Sequence, residues 1–337
     1  MSERNLFILN WLGLKQTDTQ LATVFQPIIN DASQRKYYRC FLEGHSYIVM
    51  DSMHDQSFSQ FINIAKQLLS WGLAVPEIYK VEERQGLILM SDLGNDLYLQ
   101  KLNISTANKL YSAALNSLLI MQTNTSSHSL SLSSMELGYI NNQLGVFQLW
   151  FLKRHLNLSE TVEIKQLINY LENLFVAVFA EQPQVLVHLD YHSRNLLVLP
   201  APKPGILDFQ DAMIGPLTYD LVSLLQDAYI SWPRAQVEAW LLQYQGLAFT
   251  AGLIEFKDHA QFVKLFDLVG LQRHIKNLGV FARLHHRDNK SKYLQDIPML
   301  LQYILATCRR YQELQDLLAF FEEIIMPNFA GDTLCKQ

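Results

Sequence analysis

Cysteine is scarce in this sequence, and its three residues, Cys40, Cys308 and Cys335, lie far apart along the chain. Their odd number and wide spacing argue against a disulfide framework and against a metal site built from cysteines. Long hydrophobic runs are also lacking, since no apolar segment reaches the ~18 residues of a membrane span. We therefore expect a cytoplasmic protein with reduced thiols and no membrane association.

An excess of basic charge is missing as well, because 27 Lys and Arg residues are outnumbered by 32 Asp and Glu residues. No overall positive field would attract nucleic acid, so we do not expect a nucleic acid partner. Nothing in the sequence indicates an obligate protein partner either. The apolar segment 5–14 is short, contains Asn10 and is followed by no small-residue cleavage site, which predicts a helix and not a signal peptide.

Two regions of different secondary structure follow one another along the chain. Residues 1–93 carry short strand candidates around one amphipathic helix at about 57–71, after two short helices predicted at 5–14 and 19–25. Residues 94–337 are mostly helical, with strands expected only between 184 and 210. The patterns predict helices near 97–102, 105–123, 145–155, 160–180, 234–248, 256–284, 293–307 and 308–325. The sequence thus predicts an α+β protein with a small β-rich N-terminal lobe and a large, mainly helical C-terminal lobe.

The segment His-Leu-Asp-Tyr-His-Ser-Arg-Asn at residues 188–195 is the strongest functional signal. It lies between two apolar, strand-like runs, and a following strand delivers Asp208 into a turn. Phosphoryl transfer depends on positioned oxygen atoms: Asp190 can face an acceptor hydroxyl, while Asn195 and Asp208 can hold Mg²⁺ against nucleotide phosphates. Each residue alone also fits a polar turn, but the combined pattern favours a kinase.

Four segments make the chain resemble the aminoglycoside phosphotransferase/choline kinase-like family, whose members share the protein-kinase fold. Within this family, it is most similar to the branch of anomeric kinases that act on N-acetylmuramate and N-acetylglucosamine in cell-wall recycling. The four segments are residues 30–39, 187–195, 207–220 and 271–288. The resemblance implies a protein-kinase-like bilobal fold, a nucleotide-covering lobe at 1–93, a catalytic and acceptor lobe at 94–337, and ATP and Mg²⁺ as cofactors.

The predicted phosphate-binding region departs from this family in two ways. Its covering loop has no glycine, so the backbone N–H groups and hydroxyl of Asp31, Ala32 and Ser33 are expected to cradle phosphate. The lysine expected on the third strand is missing from residues 47–51, and its glutamate partner is missing from residues 58–71. Both halves of the usual ion pair are therefore absent together.

Another cation is expected to replace the missing lysine in contacting the phosphates. The candidates are Arg35, Lys36 and Arg39, and Arg39 shares a strand face with Tyr37. The alternative is that these are solvated strand charges. The connector that follows resembles a kinase hinge, so the backbone of Ser91, Asp92 and Leu93 is expected to bind adenine, although a simple linker would use the same residues.

Four cations fall on one face of the helix predicted at 271–287, within an arc of about 80° at ~100° per residue. Such a face is often only solvated, but like charges at helical spacing repel one another and invite an anionic partner. That partner is either a phosphate or the lactyl carboxylate of N-acetylmuramate. The four residues are Arg273, Lys276, Arg283 and Arg287.

Three further polar residues border the site of the transferred group. His192 is expected to hydrogen-bond the sugar, and Arg194 either holds the loop through an acidic partner or faces the phosphate. Asp211 binds sugar hydroxyls or Arg194.

The sequence therefore predicts an enzyme that uses ATP to phosphorylate the C1 hydroxyl of a small-molecule amino sugar. Two alternatives fit the same residues: a related kinase with an aminoglycoside or choline-type acceptor, and a kinase-like binding module without activity.

Overall fold

The computed structural model describes residues 3–14, 25–28, 35–53, 57–127, 130–255 and 258–329. The expected phosphate-covering residues Asp31, Ala32 and Ser33 lie outside these ranges, as do Cys335 and most of the helix predicted at 19–25. Phe25 begins a strand. No helix in the described ranges is both long and apolar enough to cross a membrane.

The N-terminal region forms a five-stranded antiparallel sheet with strand order β1-β2-β3-β5-β4. The strands are β1 (Phe25–Ile28), β2 (Lys36–Leu42), β3 (His45–Asp51), β4 (Ile78–Glu82) and β5 (Leu87–Ser91). The turn between β2 and β3 is made by Glu43 and Gly44, both at positive φ. Glycine tolerates this conformation without strain, which is why the Glu-Gly pair predicted a turn.

Two helices accompany this sheet: α1 (Glu3–Leu12) and α2 (Phe58–Ser70). Helix α2 buries Phe61, Ala65 and Leu68 on one face, as its helical spacing predicted. Strand β5, the last strand of the sheet along the chain, ends at Ser91, close to the predicted division between residues 1–93 and 94–337. That division stays a prediction.

The C-terminal region is mostly helical. Its helices are α3 (Tyr98–Lys101), α4 (Ala107–Thr123), α5 (Leu137–Val146), α6 (Val162–Ala180), α7 (Tyr219–Leu225), α8 (Arg234–Thr250), α9 (His259–His286), α10 (Ile297–Arg310) and α11 (Gln315–Phe320). Helix α5 continues as a π-helix through Phe147–His155. The sequence located only this second half, because the first half carries the weakly periodic stretch Gly-Tyr-Ile-Asn-Asn.

Two small antiparallel sheets lie within the helical region. One pairs β6 (Gln184–Val187) with β9 (Met213–Pro216), and the other pairs β7 (Leu196–Leu197) with β8 (Gly205–Ile206). The expectation of strands only between 184 and 210 is therefore wrong. Strand β9 is four residues long and contains Gly215 and Pro216, so its own sequence gives little indication of a strand. It forms by pairing with β6, which is distant in sequence.

Helix α9 runs for 28 residues and is buried on nearly all sides between Phe262 and Ala282. Its N-terminus is capped by Asp258, whose side chain accepts hydrogen bonds from the N–H groups of Ala260 and Gln261. This helix carries three of the four predicted stripe cations at one wall of the main cleft, where Arg273 is buried and Lys276 and Arg283 are partly exposed.

Candidate active site

A cleft of about 860 Å³ brings together most of the predicted site residues. This volume is within the usual range of small-molecule sites. It is lined from the sheet by Arg39, from the connector by Ser91, Asp92 and Leu93, from the loops after β6 and β8 by Asp190, His192, Arg194, Asn195, Asp208 and Asp211, and from α9 by Arg273, Lys276 and Arg283. Arg35 and Arg287 are not part of this lining.

The loop after β6 holds Asp190 through a strained backbone. Leu189 has φ 78°, an unfavourable value for a leucine, so its surroundings must hold it there. The Asp220 carboxylate, at the start of α7, accepts the N–H groups of His188 (2.6 Å) and Leu189 (3.1 Å). The Leu189 carbonyl accepts a 2.6 Å bond from Nη1 of Arg273. Buried groups on two helices therefore fix the position of Asp190.

His188 is a structural part of this loop. Its ring lies against Tyr191, and its Nε2 is 2.9 Å from the carbonyl oxygen of Leu207, while Nδ1 accepts the N–H of Asp190 at 3.3 Å. Burial lowers the pKa of His188 to about 4, so the imidazole stays neutral at neutral pH. The ring therefore holds the loop through its hydrogen bonds.

Asp190 is an ionised carboxylate that opens to the cleft. Its Oδ1 accepts a 3.2 Å bond from Nη2 of buried Arg273, and its side chain is 45% exposed. Desolvation raises the pKa of Asp190, but the charges of Lys276 and Arg273 outweigh it and hold the pKa well below its ordinary value. The second carboxylate oxygen faces the cleft, where it can accept a hydrogen bond from a ligand hydroxyl.

Two tyrosines complete the charge network beneath Asp190. The Tyr219 hydroxyl lies 3.0 Å from that of Tyr139 and accepts a 3.4 Å bond from Nζ of Lys276. Desolvation raises the pKa of Tyr219, but Lys276 and Arg273 lower it overall. Both cations also lie over the Tyr219 ring. Tyr219 is fully buried beneath the two cations, so its ring is not available to stack on a ligand.

Oxygen atoms cluster beside Asp190 at the predicted metal position. Asn195 donates its side-chain N–H to the Asp190 carbonyl (2.9 Å), which leaves its amide oxygen free for a cation. Asp208 has φ 64° and turns out of β8 towards Gln210, whose Nε2 donates to Asp208 Oδ1 at 2.8 Å and to Asp211 Oδ2 at 3.5 Å. Desolvation raises the pKa of Asp211, and the neighbouring Asp208 raises it further.

This cluster fits Mg²⁺ by its chemistry. Its donors are all oxygen atoms, and the repulsion that raises the pKa of Asp211 would be relieved by a cation. No group of three or more His, Cys, Asp or Glu side chains in the described ranges is arranged to hold a metal. That agrees with Mg²⁺, which is usually held by one or two carboxylates and completed by substrate phosphates and water.

His192 and Arg194 take different positions on the same loop. Arg194 stacks its guanidinium 3.5 Å above the centre of the Tyr229 ring, and His192 meets the edge of that ring. The expected pairing of Arg194 with Asp211 is not observed within the described residues. Nδ1 of His192 is buried without a hydrogen-bond partner among those residues, so it remains available to a ligand.

Arg39 is bound at the connector. Its Nε and Nη2 contact Oδ2 and Oδ1 of Asp92 at 2.5 and 2.9 Å, and Ser46 donates to the same carboxylate. Desolvation raises the pKa of Asp92, but these hydrogen bonds lower it overall. The backbone of Leu93 forms no backbone hydrogen bond within the part of the chain that the structure describes. An adenine edge can therefore bind there, as it does at kinase-like hinges.

Arg35 lies outside the cleft lining, near the loop that carries Asp208 and Asp211. It is buried, donates a 2.5 Å bond to Ser57 Oγ and lies 5.4 Å from the centre of the Phe61 ring. Phe61 stacks on Phe209, the residue that follows Asp208. The charge of Arg35 also lowers the pKa of Asp211. Arg35 is therefore the cation next to the predicted metal loop.

Several cleft residues were not predicted from the sequence. The Asp227 carboxylate holds the catalytic loop by accepting the N–H and hydroxyl of Ser193. Tyr229, Asn277 and Tyr293 line the acceptor side. The local sequence offers little to indicate the role of Asp227 beyond an aspartate shortly after α7. Its contacts with Ser193 join residues that are 34 positions apart, which local patterns do not reveal.

Comparison with known proteins identifies the family. A model of the phosphotransferase enzyme family matches residues 24–253, more than half of the chain. The chain belongs to this family.

Solved structures agree with the fold of this phosphotransferase. A choline/ethanolamine kinase family protein from Mesorhizobium loti aligns with a TM-score of 0.63 and 13% sequence identity. The alignment covers 94% of this chain and 98% of that protein. An ADP-bound aminoglycoside phosphotransferase aligns with TM-score 0.58 and 15% identity over 90% and 97%. The expected protein-kinase-like α+β fold is confirmed.

The phosphotransferase also has curated relatives of similar length. The N-acetylmuramate/N-acetylglucosamine kinase of Pseudomonas putida is 37% identical over 296 residues, which cover 88% of this chain and 86% of the relative. The enzyme of the same name from Neisseria meningitidis is 32% identical over 327 residues, 96% of each chain. These relatives belong to the branch that the sequence motifs indicated.

Proposed function

We propose that this phosphotransferase uses ATP and Mg²⁺ to phosphorylate the anomeric C1 hydroxyl of N-acetylmuramate and N-acetylglucosamine. The product is a sugar 1-phosphate formed in peptidoglycan recycling. The observation that carries this proposal is the open, ionised carboxylate of Asp190 beside the oxygen cluster of Asn195 and Asp208. The names of the curated relatives support the choice of acceptor.

Asp190 is assigned to the acceptor hydroxyl. The acceptor hydroxyl donates a hydrogen bond to the free oxygen of Asp190, and this contact orients the hydroxyl oxygen towards the γ-phosphorus. As the new P–O bond forms, Asp190 receives the proton, and the bond from the γ-phosphorus to the bridging oxygen breaks and releases ADP. Because its pKa is held low, Asp190 is a weak base. A hemiacetal hydroxyl is more acidic than an ordinary alcohol, so weak basicity suffices for this acceptor.

Asn195 and Asp208 would hold Mg²⁺, with Asp211 close by. When bound, the ion supplies neutralisation of the phosphate charge. The chain's own contribution is to place amide and carboxylate oxygens on two neighbouring hairpins, so that the positions of nucleotide and acceptor are fixed relative to each other. The short contact of Gln210 with Asp208 orients one carboxylate oxygen and leaves the other for the ion.

Arg35 is the better candidate for the cation that replaces the missing third-strand lysine. Its charge acts on Asp211, whereas Arg39 is engaged by Asp92 at the connector. In this assignment Arg35 contacts the phosphates, and Arg39 shapes the adenine end through Asp92. The ATP needed for this reaction is a cytoplasmic metabolite, and buried free Cys40 and Cys308 suit a reducing compartment.

The alternatives are disfavoured by charge and by the complete set of site residues. A cationic acceptor such as an aminoglycoside or choline needs carboxylates around its amines, but Lys276 and Arg283 line the acceptor side of this cleft. An inactive binding module would not need Asp190, Asn195 and Asp208 to be kept together.

A panel of acceptors tests the proposed function. The purified enzyme is incubated with ATP, Mg²⁺ and one of four acceptors: N-acetylmuramate, N-acetylglucosamine, choline or kanamycin. We expect ADP formation with the two sugars only, and a phosphorus–H1 coupling in the product by NMR. Turnover of choline or kanamycin alone, or phosphate on another hydroxyl, would contradict the proposal.

A further inference from the structure

The four cations predicted as one stripe on α9 have different surroundings. Arg273 is buried and bound to Asp190 and the Leu189 carbonyl. Lys276 reaches the Tyr219 hydroxyl and acts on Asp190. Arg287 is exposed, pairs with Asp288 and lies outside the cleft lining. Arg283 is the remaining cation of the stripe, and it lines the cleft. No carboxylate in the described ranges lies within ion-pair distance of it.

The guanidinium of Arg283 is partly buried and incompletely satisfied. Its Nε is shielded from solvent and has no hydrogen-bond partner among the described residues. Desolvation lowers the pKa of Arg283, as does the nearby charge of Arg287, and the charge of Asp288 offsets them only in part. A buried donor without a partner is costly. An anion in the cleft would supply the partner that Nε lacks.

The distance along α9 from Asp190 to Arg283 suits a sugar ring. Arg283 is ten residues beyond Arg273, or ~15 Å along the axis at ~1.5 Å per residue. Both arginine side chains lean towards the helix N-terminus, so their guanidinium groups stay ~15 Å apart along the axis. The Asp190 carboxylate, a pyranose with its C1 hydroxyl at Asp190 and the ether substituent on C3 would together bridge this distance to Arg283.

The surroundings of Arg283 match that substituent. Val280 and Leu284 line the cleft next to it on the same helix, and Phe281 and Tyr293 line it further along. The lactyl ether of N-acetylmuramate carries a methyl group and a carboxylate on one carbon atom. An apolar wall beside one unpaired cation is complementary to both.

We infer that Arg283 binds the lactyl carboxylate of N-acetylmuramate and so determines how well this sugar is used relative to N-acetylglucosamine. This inference rests on the proposed function, because it needs the sugar to be bound with C1 at Asp190. The carboxylate would accept hydrogen bonds from the guanidinium, and buried Nε would gain its missing partner. N-acetylglucosamine, which has a hydroxyl at this position, leaves Arg283 to water.

A substitution combined with a modified substrate tests the inference. Arg283→Gln removes the charge and keeps a polar side chain, and Arg287→Gln is the matched control at the C-cap of the same helix, outside the cleft lining. The ratio of kcat/KM for N-acetylmuramate to that for N-acetylglucosamine is measured for each enzyme. We expect Arg283→Gln to lower the ratio about ten- to a hundredfold, the worth of one charge-assisted hydrogen bond, and Arg287→Gln to leave it within about twofold.

The carboxamide of N-acetylmuramate provides a second measurement that does not depend on a variant. The wild-type enzyme should use this neutral analogue about ten- to a hundredfold less well than the acid. In Arg283→Gln the difference between acid and amide should disappear, because the partner of the carboxylate is gone. Arg283→Lys, which keeps the charge, should restore part of the preference for the acid.

The outcomes separate the inference from the proposed function. If the wild-type enzyme phosphorylates both sugars but Arg283→Gln lowers both equally, or lowers neither, the assignment of Arg283 is wrong and the proposed function stands. If the wild-type enzyme uses acid and amide equally well, the assignment is also wrong, even if the variant does not fold. If the wild-type enzyme phosphorylates neither sugar, the proposed function fails, and the inference fails with it.

Discussion

Two aspartates of this phosphotransferase, each bound by arginine, differ in how far their carboxylates are open to ligands. Asp267, on α9, is 1% exposed, and its two oxygens accept bonds from Arg234, Arg310 and the Tyr311 hydroxyl at 2.6–3.0 Å. Asp190 is 45% exposed and accepts from Arg273 on one oxygen only. The first carboxylate is closed to ligands, and the second is open.

The difference lies in the partners and not in the residue types. Three donors from α8 and the end of α10 converge on Asp267, so that it joins these elements to α9. Around Asp190, Arg273 directs one N–H to the carboxylate and the other to the Leu189 carbonyl, and Lys276 contributes charge from a distance. The network therefore keeps Asp190 ionised without occupying it. Substitutions in the open region should affect turnover, and those in the closed region should affect stability.

The largest effect on turnover is expected at Asp208, an open carboxylate of the metal cluster. Asp208→Asn keeps a residue type that tolerates positive φ but removes the charge that the metal ion needs. We expect kcat/KM to fall on the order of 10³-fold at ordinary Mg²⁺ levels, with the melting temperature nearly unchanged. Steady-state kinetics and thermal unfolding would check this. Near-normal turnover, or a large loss of stability, would contradict the distinction between open and closed carboxylates.

A smaller effect, on nucleotide binding, should distinguish the role of Arg35 from that of Arg39. Arg35→Met is expected to weaken ATP binding about ten- to a hundredfold, by loss of a charge-assisted contact to phosphate, and to leave adenosine binding unchanged. Arg39→Met is the matched variant, and because Arg39 holds Asp92 at the connector, it should weaken ATP and adenosine alike. Calorimetric titration of both ligands measures this. The opposite pattern would assign the phosphate contact to Arg39.

The smallest effect concerns pH. Cations hold the pKa of Asp190 below its ordinary value, so the carboxylate stays ionised as pH falls through the ordinary carboxyl range. We therefore expect kcat/KM for N-acetylglucosamine, at saturating ATP and Mg²⁺, to show no loss from Asp190 protonation between pH ~8 and ~5. An acidic loss in this interval that moves to still higher pH in Lys276→Met would mean that the pKa of Asp190 is raised and not lowered.

The sequence indicated that Asp190, Asn195 and Asp208 lie together because this information is local, and the structure places all three in one cleft. Their roles stay predictions. His188, Asp190 and Asn195 lie within eight positions on one hairpin, and Asp208 follows on the next. Spacing along so short a segment limits geometry strongly. The strands of the N-terminal sheet were predicted for a similar reason, since turn residues such as Glu43 and Gly44 mark their ends.

Partnerships between distant residues were beyond local patterns. The helical period placed Arg273 and Arg287 on one face, but it did not indicate which of them is buried. Burial of Arg273 depends on the loop that it supports, which contains Asp190, 83 positions away. Strand alternation directed Arg39 inward, yet its partner Asp92 is 53 positions away. Strand β9 pairs with β6 and bridges to Ser134, and neither partner is close to it in sequence. In each case the tertiary contact determined the outcome.

A paired measurement on Asp190→Asn and Asp267→Asn tests the distinction between open and closed carboxylates most directly. For each variant, turnover of N-acetylglucosamine per folded molecule and the free energy of unfolding are measured at the same temperature. We predict that Asp190→Asn lowers kcat by ~10²-fold or more with a small change in stability and with ATP affinity retained. Asp267→Asn should cost about 3–5 kcal/mol of stability, while the folded fraction stays active. Near-normal turnover in Asp190→Asn, or an inactive but stable Asp267→Asn, would contradict the account.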